Sequence, residues 1–446
     1  MKSYTKLQHK KVLVLGLAKS GLAAAELLHD LGAFVTVNDA KPFEENKEAQ
    51  ELLEKGITVI CGRHPEDLLD EGFELVVKNP GIPYSNRIIS EAITRGIPVW
   101  TEIELAYLVS EAPMIGITGS NGKTTTTTLV YEMLQEADQQ PLVAGNIGTV
   151  ACGVAQQATP ANHIVTELSS FQLMGVETFQ PKIAVLLNLY EAHLDYHGTF
   201  KGYADAKFAV TKQQDEQDYF IYNADQQEVV AYANQSKAQK VPFSTKGRTT
   251  HGISADDTTI YWQGEALISR TAIALPGEHN LQNILAALAT CLLLGCEQAP
   301  LEKVLQRFAG VKHRTQFVTT TNGVKWYNDS KATNSLATKS ALQAFTAPTI
   351  LLAGGLERNH SFDELQTALT NVKHVITFGE TKQRLAEFMM QQGISTTVVE
   401  DVTEAVHVAK EHAVTGDIVL LSPACASWDQ YDSFEIRGDA FIAAIQ

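Results

Sequence analysis

Cysteine is scarce. Five residues, Cys61, Cys152, Cys291, Cys296 and Cys425, stand scattered through a chain of 446. The count is odd and no C-x-x-C pair occurs, which argues against a disulfide framework and a zinc site and fits a reducing cytoplasm. Long apolar runs are lacking as well, and none approaches the roughly 20 residues of a membrane-spanning helix. The opening stretch MKSYTKLQHKKVLVLG has basic residues but too short an apolar run for a secretory signal. Clusters of basic residues are also missing. Against 51 Asp and Glu there are only 35 Lys and Arg, a net charge of −16, which argues against general nucleic-acid binding. A chain this acidic that handles phosphates has to gather its few cations, and magnesium, at one place. What is left is a soluble, cytoplasmic globular chain with no nucleic-acid partner and no membrane span.

The length allows two to four domains at about 150 residues each. The first hundred residues alternate short apolar strands (KVLVLG, AFVTVND, GITVI, FELVVKN) with helical stretches such as SGLAAAELLHDLG. Near-continuous Val, Ile and Leu runs mark parallel strands buried on both faces. A second α/β unit opens at EAPMIGITG and contains HIVTEL and KIAVLLNL. A polar region from about 211 to 275 follows, with short alternating segments such as GISADDTTIYW that suggest an antiparallel appendage. Then comes the helix NLQNILAALATCLLLG. A third unit carries GVKWYND, TILLAGG, HVITFG and DIVLLSPA. The expected fold is therefore three α/β domains: a Rossmann-like parallel sheet over 1–99, a central P-loop ATPase-like domain with the appendage over 100–311, and a Rossmann-like domain over 312–446.

The stretch MIGITGSNGKTTTTTLVYEML, 114–134, is close to the phosphate-binding pattern G-x-x-x-x-G-K-[ST], but the place of its first glycine holds Ile117. A strand nevertheless ends at Gly119 and a helix begins near Lys123. Free N–H groups and the helix dipole at such a junction favour an anion. Gly119, Ser120, Asn121 and Gly122 would wrap the phosphates, Lys123 would reach the terminal ones, and the Thr124 hydroxyl would ligate magnesium, with Thr125 beside it. The plainer alternative is a glycine-rich turn capping a helix. Glu167 ends an apolar strand, where ligands bind in open α/β sheets, and is a candidate magnesium ligand; taken alone it is equally a surface acid. His193 and Asp195 follow the next strand end, and Lys207 lies on the following helix. A lone histidine or an exposed lysine on a helix face would be ordinary.

Near the N-terminus, GLAKSG (16–21) resembles the dinucleotide motif G-x-G-x-x-G with Ala18 at the second glycine, and Asp39 ends the next strand. By themselves these residues point to a nicotinamide cofactor. That oxidoreductase alternative leaves 119–124 and Lys207 without a role. A P-loop regulator that binds nucleotide without turnover is a further alternative.

TGSNGKTTTT, TELSSFQL, NLYEAHLDYHGT with YADAK, and GEHNLQNILAALA occur in this order and at about the spacing of the Mur ligases, which the chain resembles along essentially its whole length. In that family the shorter loop is the rule. NDSKATN, LAGGLERN and LLSPACASWDQYDSFEIRGDAF resemble the D-glutamate-adding branch rather than its sisters, the lysine- or diaminopimelate-adding ligases or the folate polyglutamate ligases. The resemblance implies an ATP-dependent amide ligase that passes through an acyl phosphate. Its substrates would be UDP-N-acetylmuramoyl-L-alanine and D-glutamate, and the chain would act as a monomer. It implies two magnesium ions, with Thr124 and Glu167 on the first and His193 serving the second, and a carbamate on Lys207 that holds or orients a metal or its water. Lys123, His193, Lys207 and Lys331 would be the catalytic residues. Asn280, Asn283, Arg314 and Asp329 would join 119–125 in binding ATP, although Asn280 is also readable as a helix N-cap. Lys19, Ser20, Gly21, Asp39, Lys41, Asn79, Gly81 and Asn146 would bind the UDP substrate. Lys331, Thr333, Arg358, Ser427 and Phe434 would bind D-glutamate; Arg358 stands where some members have lysine. Cys425 has no evident base partner and no role as a nucleophile.

Overall fold

A computed structural model describes residues 1–446 except Ser3, Pro276, Asn359 and His360, and describes Asp195 by its backbone alone. The chain forms two compact units, Met1–Ala272 with Leu281–Val304, and Ile273–Asn280 with Leu305–Gln446.

The first unit holds two sheets. The smaller consists of β1 (Lys11–Leu15), β2 (Phe34–Asp39), β3 (Thr58–Cys61), β4 (Leu75–Lys78) and β5 (Val99–Trp100), in the order β3-β2-β1-β4-β5. All its pairings are parallel. Val12, Leu13, Val14 and Leu15 are fully buried, as a strand covered on both faces requires. Strand order reverses between β1 and β4, and a crevice for ligands opens beyond the carboxyl ends of strands at such a point.

The larger sheet runs β14-β13-β12-β11-β10-β9-β6-β8-β7. Its strands are β6 (Met114–Thr118), β7 (Pro141–Gly145), β8 (His163–Glu167), β9 (Ile183–Leu186), β10 (Tyr219–Asn223), β11 (Gln239–Ser244), β12 (Ile253–Ala255), β13 (Thr259–Trp262) and β14 (Glu265–Ser269). The appendage expected over 211–275 is smaller than its sequence suggests. β10, β11 and β12 continue the parallel sheet, and only the β12–β13 and β13–β14 pairings are antiparallel. The half-exposed pattern of QKVPFS in β11 imitates the one-sided alternation of an antiparallel strand.

One apolar cluster runs through both sheets and includes Val12, Val14, Ile103, Met114, Ile164 and Phe179. The helix Glu102–Val109 brings two carboxyls into this interior. Glu104 accepts from the N–H groups of Glu177 (2.9 Å), Thr178 (2.8 Å) and Phe179 (3.1 Å) and so pins the chain leading into β9. Glu102 is poorer in partners: the Cys152 N–H donates to it at 3.1 Å, and burial pushes its pKa up to about 7. A carboxyl raised in the folded state holds its proton more tightly there than in the unfolded chain, near 4.3. Its contribution to stability is full below the unfolded value and is lost as pH climbs through about 7. Glu102→Gln should therefore flatten the decline of melting temperature between about pH 4.5 and 7, leaving the variant more stable above that range by roughly 1–3 kcal/mol. Thermal melts of both proteins across that range check this; parallel curves would contradict it.

The second unit carries a mixed sheet, β15-β16-β20-β17-β18-β19. Its strands are β15 (Gln316–Thr321), β16 (Val324–Asn328), β17 (Thr349–Gly354), β18 (Val372–Phe378), β19 (Ser395–Val398) and β20 (Ile418–Leu421). Only the β15–β16 edge is antiparallel. The ends of β16, β17 and β20 are neighbours, and they release the segments NDSKATN, GLER and SPACAS side by side. Among the described residues no helix is long and apolar enough to cross a membrane.

Candidate active site

β6 is buried throughout and delivers the loop 119–122 to the helix Lys123–Glu136. Gly122 caps that helix at φ +83°, a left-handed conformation that any side chain strains, and a Cβ here would overlap Asn283 Oδ1. The glycine thus lets the Asn283 amide, buried on the helix Glu278–Leu293, come against the loop. Asn188, just beyond β9, holds the loop's shape: its carbonyl accepts from the Ser120 N–H at 3.0 Å and its side chain from the Asn121 N–H at 2.8 Å. The Ser120 hydroxyl lies 2.9 Å from the Tyr203 hydroxyl and accepts from the Tyr190 N–H at 2.8 Å. Lys123 Nζ donates to the carbonyls of Gly119 (2.9 Å) and Ser120 (3.0 Å), so its cation sits over the loop. The unusual threonines divide by face. Thr126 and Thr127 are fully buried, and Thr128 donates back to the Thr124 carbonyl one turn earlier at 2.8 Å. Thr124 is nearly buried and Thr125 half-buried in the first turn.

Two residues that are ordinary surface groups in the plainer alternatives are instead buried beside this loop. Lys207 is 2 % exposed and its Nζ donates to the Gly119 carbonyl at 2.8 Å. Burial drives its pKa well below that of an ordinary lysine; the Lys123 cation pushes the same way, and Glu167 opposes both. Glu167 is 1 % exposed and pairs in register with Ile117, next to the loop's origin. Its Oε1 accepts from Asn146 Nδ2 at 2.8 Å, while its buried Oε2 has no hydrogen-bond partner. A buried carboxylate oxygen without a partner is costly and is satisfied by a cation, so the residues present fit a divalent metal. Among the described residues no three His, Cys, Asp or Glu group as a metal cluster. A metal bound here would need ligands of other types beside Glu167. His193 adopts φ +55° and is exposed; its ring stands edge-on to Phe171 at 4.9 Å and 6.3 Å from Tyr203. Of Asp195 only the backbone is described.

A second group gathers where β1 and β4 end. Asn79 Nδ2 donates to Ser20 Oγ at 2.9 Å, and Asn79 Oδ1 accepts from the Gly81 N–H at 3.0 Å. Asp39 accepts from the N–H groups of Leu17 (2.6 Å) and Lys41 (2.8 Å). A Cβ on Gly21 would overlap the Gly16 carbonyl oxygen, so the final glycine of GLAKSG serves close helix–strand packing. Lys19 and Lys41 are exposed at the rim. Asn146 is not part of this group; it is held on Glu167 beside the loop.

In the second unit, Lys331 Nζ lies 5.0 Å over the Phe434 ring, and Ser330 Oγ donates to the Phe434 carbonyl at 2.8 Å. Ser427 is buried and Thr333 half-buried on neighbouring segments. The Arg358 guanidinium stacks 4.9 Å from the ring of exposed Trp428, the residue after Ser427. Asp329 is already engaged: it accepts from the Thr315 N–H at 3.0 Å and from Ser422 Oγ at 2.8 Å, and burial pushes its pKa up to about 7. It thereby fixes the turn that carries Arg314. Asn280 lies inside the first turn of its helix, after Glu278 and His279, so the N-cap alternative is excluded. Cys425 is fully buried and its thiol is pushed up to about 11, unsuited to a nucleophile.

Sequence reasoning missed Asn188, Tyr203, Trp428 and Arg437. Tyr203 stands within YADAK, and Trp428 and Arg437 within SPACASWDQYDSFEIRGDAF, all beside chosen residues, but only the fold shows what their side chains touch.

A strand–loop–helix with a buried lysine, a partnerless acidic oxygen and a facing asparagine is an arrangement suited to phosphate groups in an α/β protein. Family models match along the chain: Mur ligase MurD-like, N-terminal domain over residues 10–101, Mur ligase middle domain over 117–291, and Mur ligase, glutamate ligase domain over 313–425. A UDP-N-acetylmuramoylalanine–D-glutamate ligase of a Geobacillus species is 57% identical over 447 residues, covering 100% of this chain and 99% of its own. The chain belongs to the Mur ligase family. Among solved structures, the UDP-N-acetylmuramate–alanine ligase of Thermotoga maritima superposes with TM-score 0.58 at 18% identity, over 98% of this chain and 99% of its own. A MurF ligase of the same organism, in complex with ADP, gives 0.57 at 16% identity, over 100% and 96%.

Proposed function

We propose that the chain joins D-glutamate to UDP-N-acetylmuramoyl-L-alanine at the expense of ATP, in the cytoplasmic synthesis of peptidoglycan precursors. The observation that carries this is the burial of Lys207 against the Gly119 carbonyl of the phosphate loop, in a chain 57% identical to a ligase of that name. A carboxylate oxygen of the UDP substrate attacks the γ-phosphorus, the bond to ADP breaks, and an acyl phosphate forms. The amine of D-glutamate attacks its carbonyl carbon, a proton leaves the nitrogen, and phosphate departs as the amide forms. Both first-step reactants are anions, so positioning and charge neutralisation supply most of the catalysis.

Lys123 and the N–H groups of 119–125 hold the phosphates. Asn280, Asn283, Arg314 and Asp329 hold the rest of ATP. Thr124, Glu167, His193 and carbamylated Lys207 would hold magnesium, two ions in all, which when bound neutralises phosphate charge. Carbon dioxide adds only to a neutral amine, and the burial of Lys207 favours that form. Lys19, Ser20, Gly21, Asp39, Lys41, Asn79 and Gly81 hold the UDP part, and Asn146 lies toward the acyl end. Lys331, Thr333, Arg358, Ser427 and Phe434 hold D-glutamate. Arg358 offers a planar fork where a lysine would offer a point charge; stacking on Trp428 sets the plane of that fork. We also propose that the chain works as a monomer of three functional domains, 1–99, 100–311 and 312–446.

Phosphate release from ATP, with the UDP substrate present, should depend on D-glutamate and exceed the rate with L-glutamate or L-lysine by at least about 100-fold, since a site built on paired polar contacts rejects a misplaced carboxylate. Equal rates with another amino acid would move the chain to a sister activity.

A further inference from the structure

We propose that Arg437 is a positioning residue of the amino-acid pocket, a role that rests on the ligase reading above. Its guanidinium is fully buried on the helix Phe434–Ile445, and among the described residues it forms no ion pair. Instead it spends its donors on neutral oxygens. Nε donates to Ser330 Oγ at 3.1 Å, Nη1 to the carbonyls of Gly354 (3.4 Å) and Ala426 (3.3 Å), and Nη2 to those of Ser330 (2.9 Å) and Cys425 (3.1 Å). These oxygens belong to the segments that leave β16, β17 and β20, three adjacent strands. A single planar fork thus sets the spacing of all three segments.

The same contacts orient the pocket's backbone. The peptide unit is planar and trans, so a carbonyl turned toward Arg437 turns the next N–H away from it. The carbonyls of Cys425 and Ala426 face the guanidinium; the amides of Ala426 and Ser427 therefore face the other side. Ser330 relays the constraint, accepting from Arg437 and donating to the carbonyl of Phe434, whose ring lies against Lys331. The backbone beside Lys331, Ser427 and Phe434 is fixed from one buried point.

A buried charge without a direct ion pair is a poor device for stability alone, since apolar packing of equal volume commonly does as well. Burial lowers the guanidinium only to about 10, so it stays charged at neutral pH. That positive charge, which Asp429 feels only from beyond ion-pair distance, lies behind a pocket for a dianionic amino acid, where it favours the ligand over neutral competitors.

The test is steady-state kinetics of purified R437K and R437M, with thermal melting to establish that each is folded. Lysine keeps the charge but loses the planar fork and two of five donors. R437K should melt cooperatively and raise the KM for D-glutamate by about tenfold or more, with the KM values for ATP and the UDP substrate changed by less than about twofold. R437M should show a larger, equally selective rise; should it fail to fold, R437K decides alone. An unchanged KM for D-glutamate in R437K, or three KM values rising together, would overturn the proposal. Wild-type enzyme whose turnover ignores D-glutamate would overturn the ligase reading instead.

Discussion

Lys207→Ala should lower ligase turnover by about 10³-fold or more, and added acetate should restore part of it, because a small carboxylate can stand in for the carbamate. The amine is 2 % exposed, donates to the Gly119 carbonyl, and is depressed by burial and by Lys123. A permanent ammonium there would repel magnesium and waste the partnerless Oε2 of Glu167. Lys207→Arg should stay inactive with or without acetate, since a guanidinium keeps its charge and does not take up carbon dioxide in this way. Melting curves of the three proteins separate loss of fold from loss of chemistry. Full activity in Lys207→Arg would show that positive charge, not a carbamate, is what the site uses.

Lys123→Ala should cost a comparable factor, about 10³-fold in turnover, with the melting temperature nearly unchanged. The side chain contacts loop carbonyls rather than core, so its removal leaves no cavity in the apolar interior. The same variant should weaken binding of a non-hydrolysable ATP analogue, measured by calorimetry. Near-normal turnover would remove the lysine from the phosphate site.

Much of the site was legible because its chemistry depends on local order. A strand, a glycine-bearing loop, a lysine and a helix start are contiguous, and Gly122 is required where the left-handed cap and the approach of Asn283 both exclude a side chain. Strands β1, β6 and β20 were legible for the same reason: an unbroken apolar run has few ways to be buried. Several of the missed strands are short or at edges. β7 begins at Pro141, β19 (STTV) is half-exposed, and β5 has two residues, so their pairing is decided by neighbours far away in sequence. The supports of the site were illegible in the same way. Asn188 reads as the polar end of a strand, and Arg437 as one charge on an amphipathic helix. Only the fold shows that the first shapes the loop 119–122 and the second lies fully buried against the segments at the ends of β16, β17 and β20.

The most direct measurement follows an oxygen atom. The UDP substrate is prepared with ¹⁸O in its alanine carboxylate and turned over with ATP and D-glutamate, and the released phosphate is analysed by mass spectrometry. If the carboxylate is activated by phosphoryl transfer at the loop 119–124, each phosphate carries one labelled oxygen, because that oxygen bridged carbon and phosphorus in the acyl phosphate. Phosphate free of label, with amide formed at the normal rate, would mean that ATP cleavage and carboxylate activation are not one chemical event, and the acyl-phosphate route would be wrong.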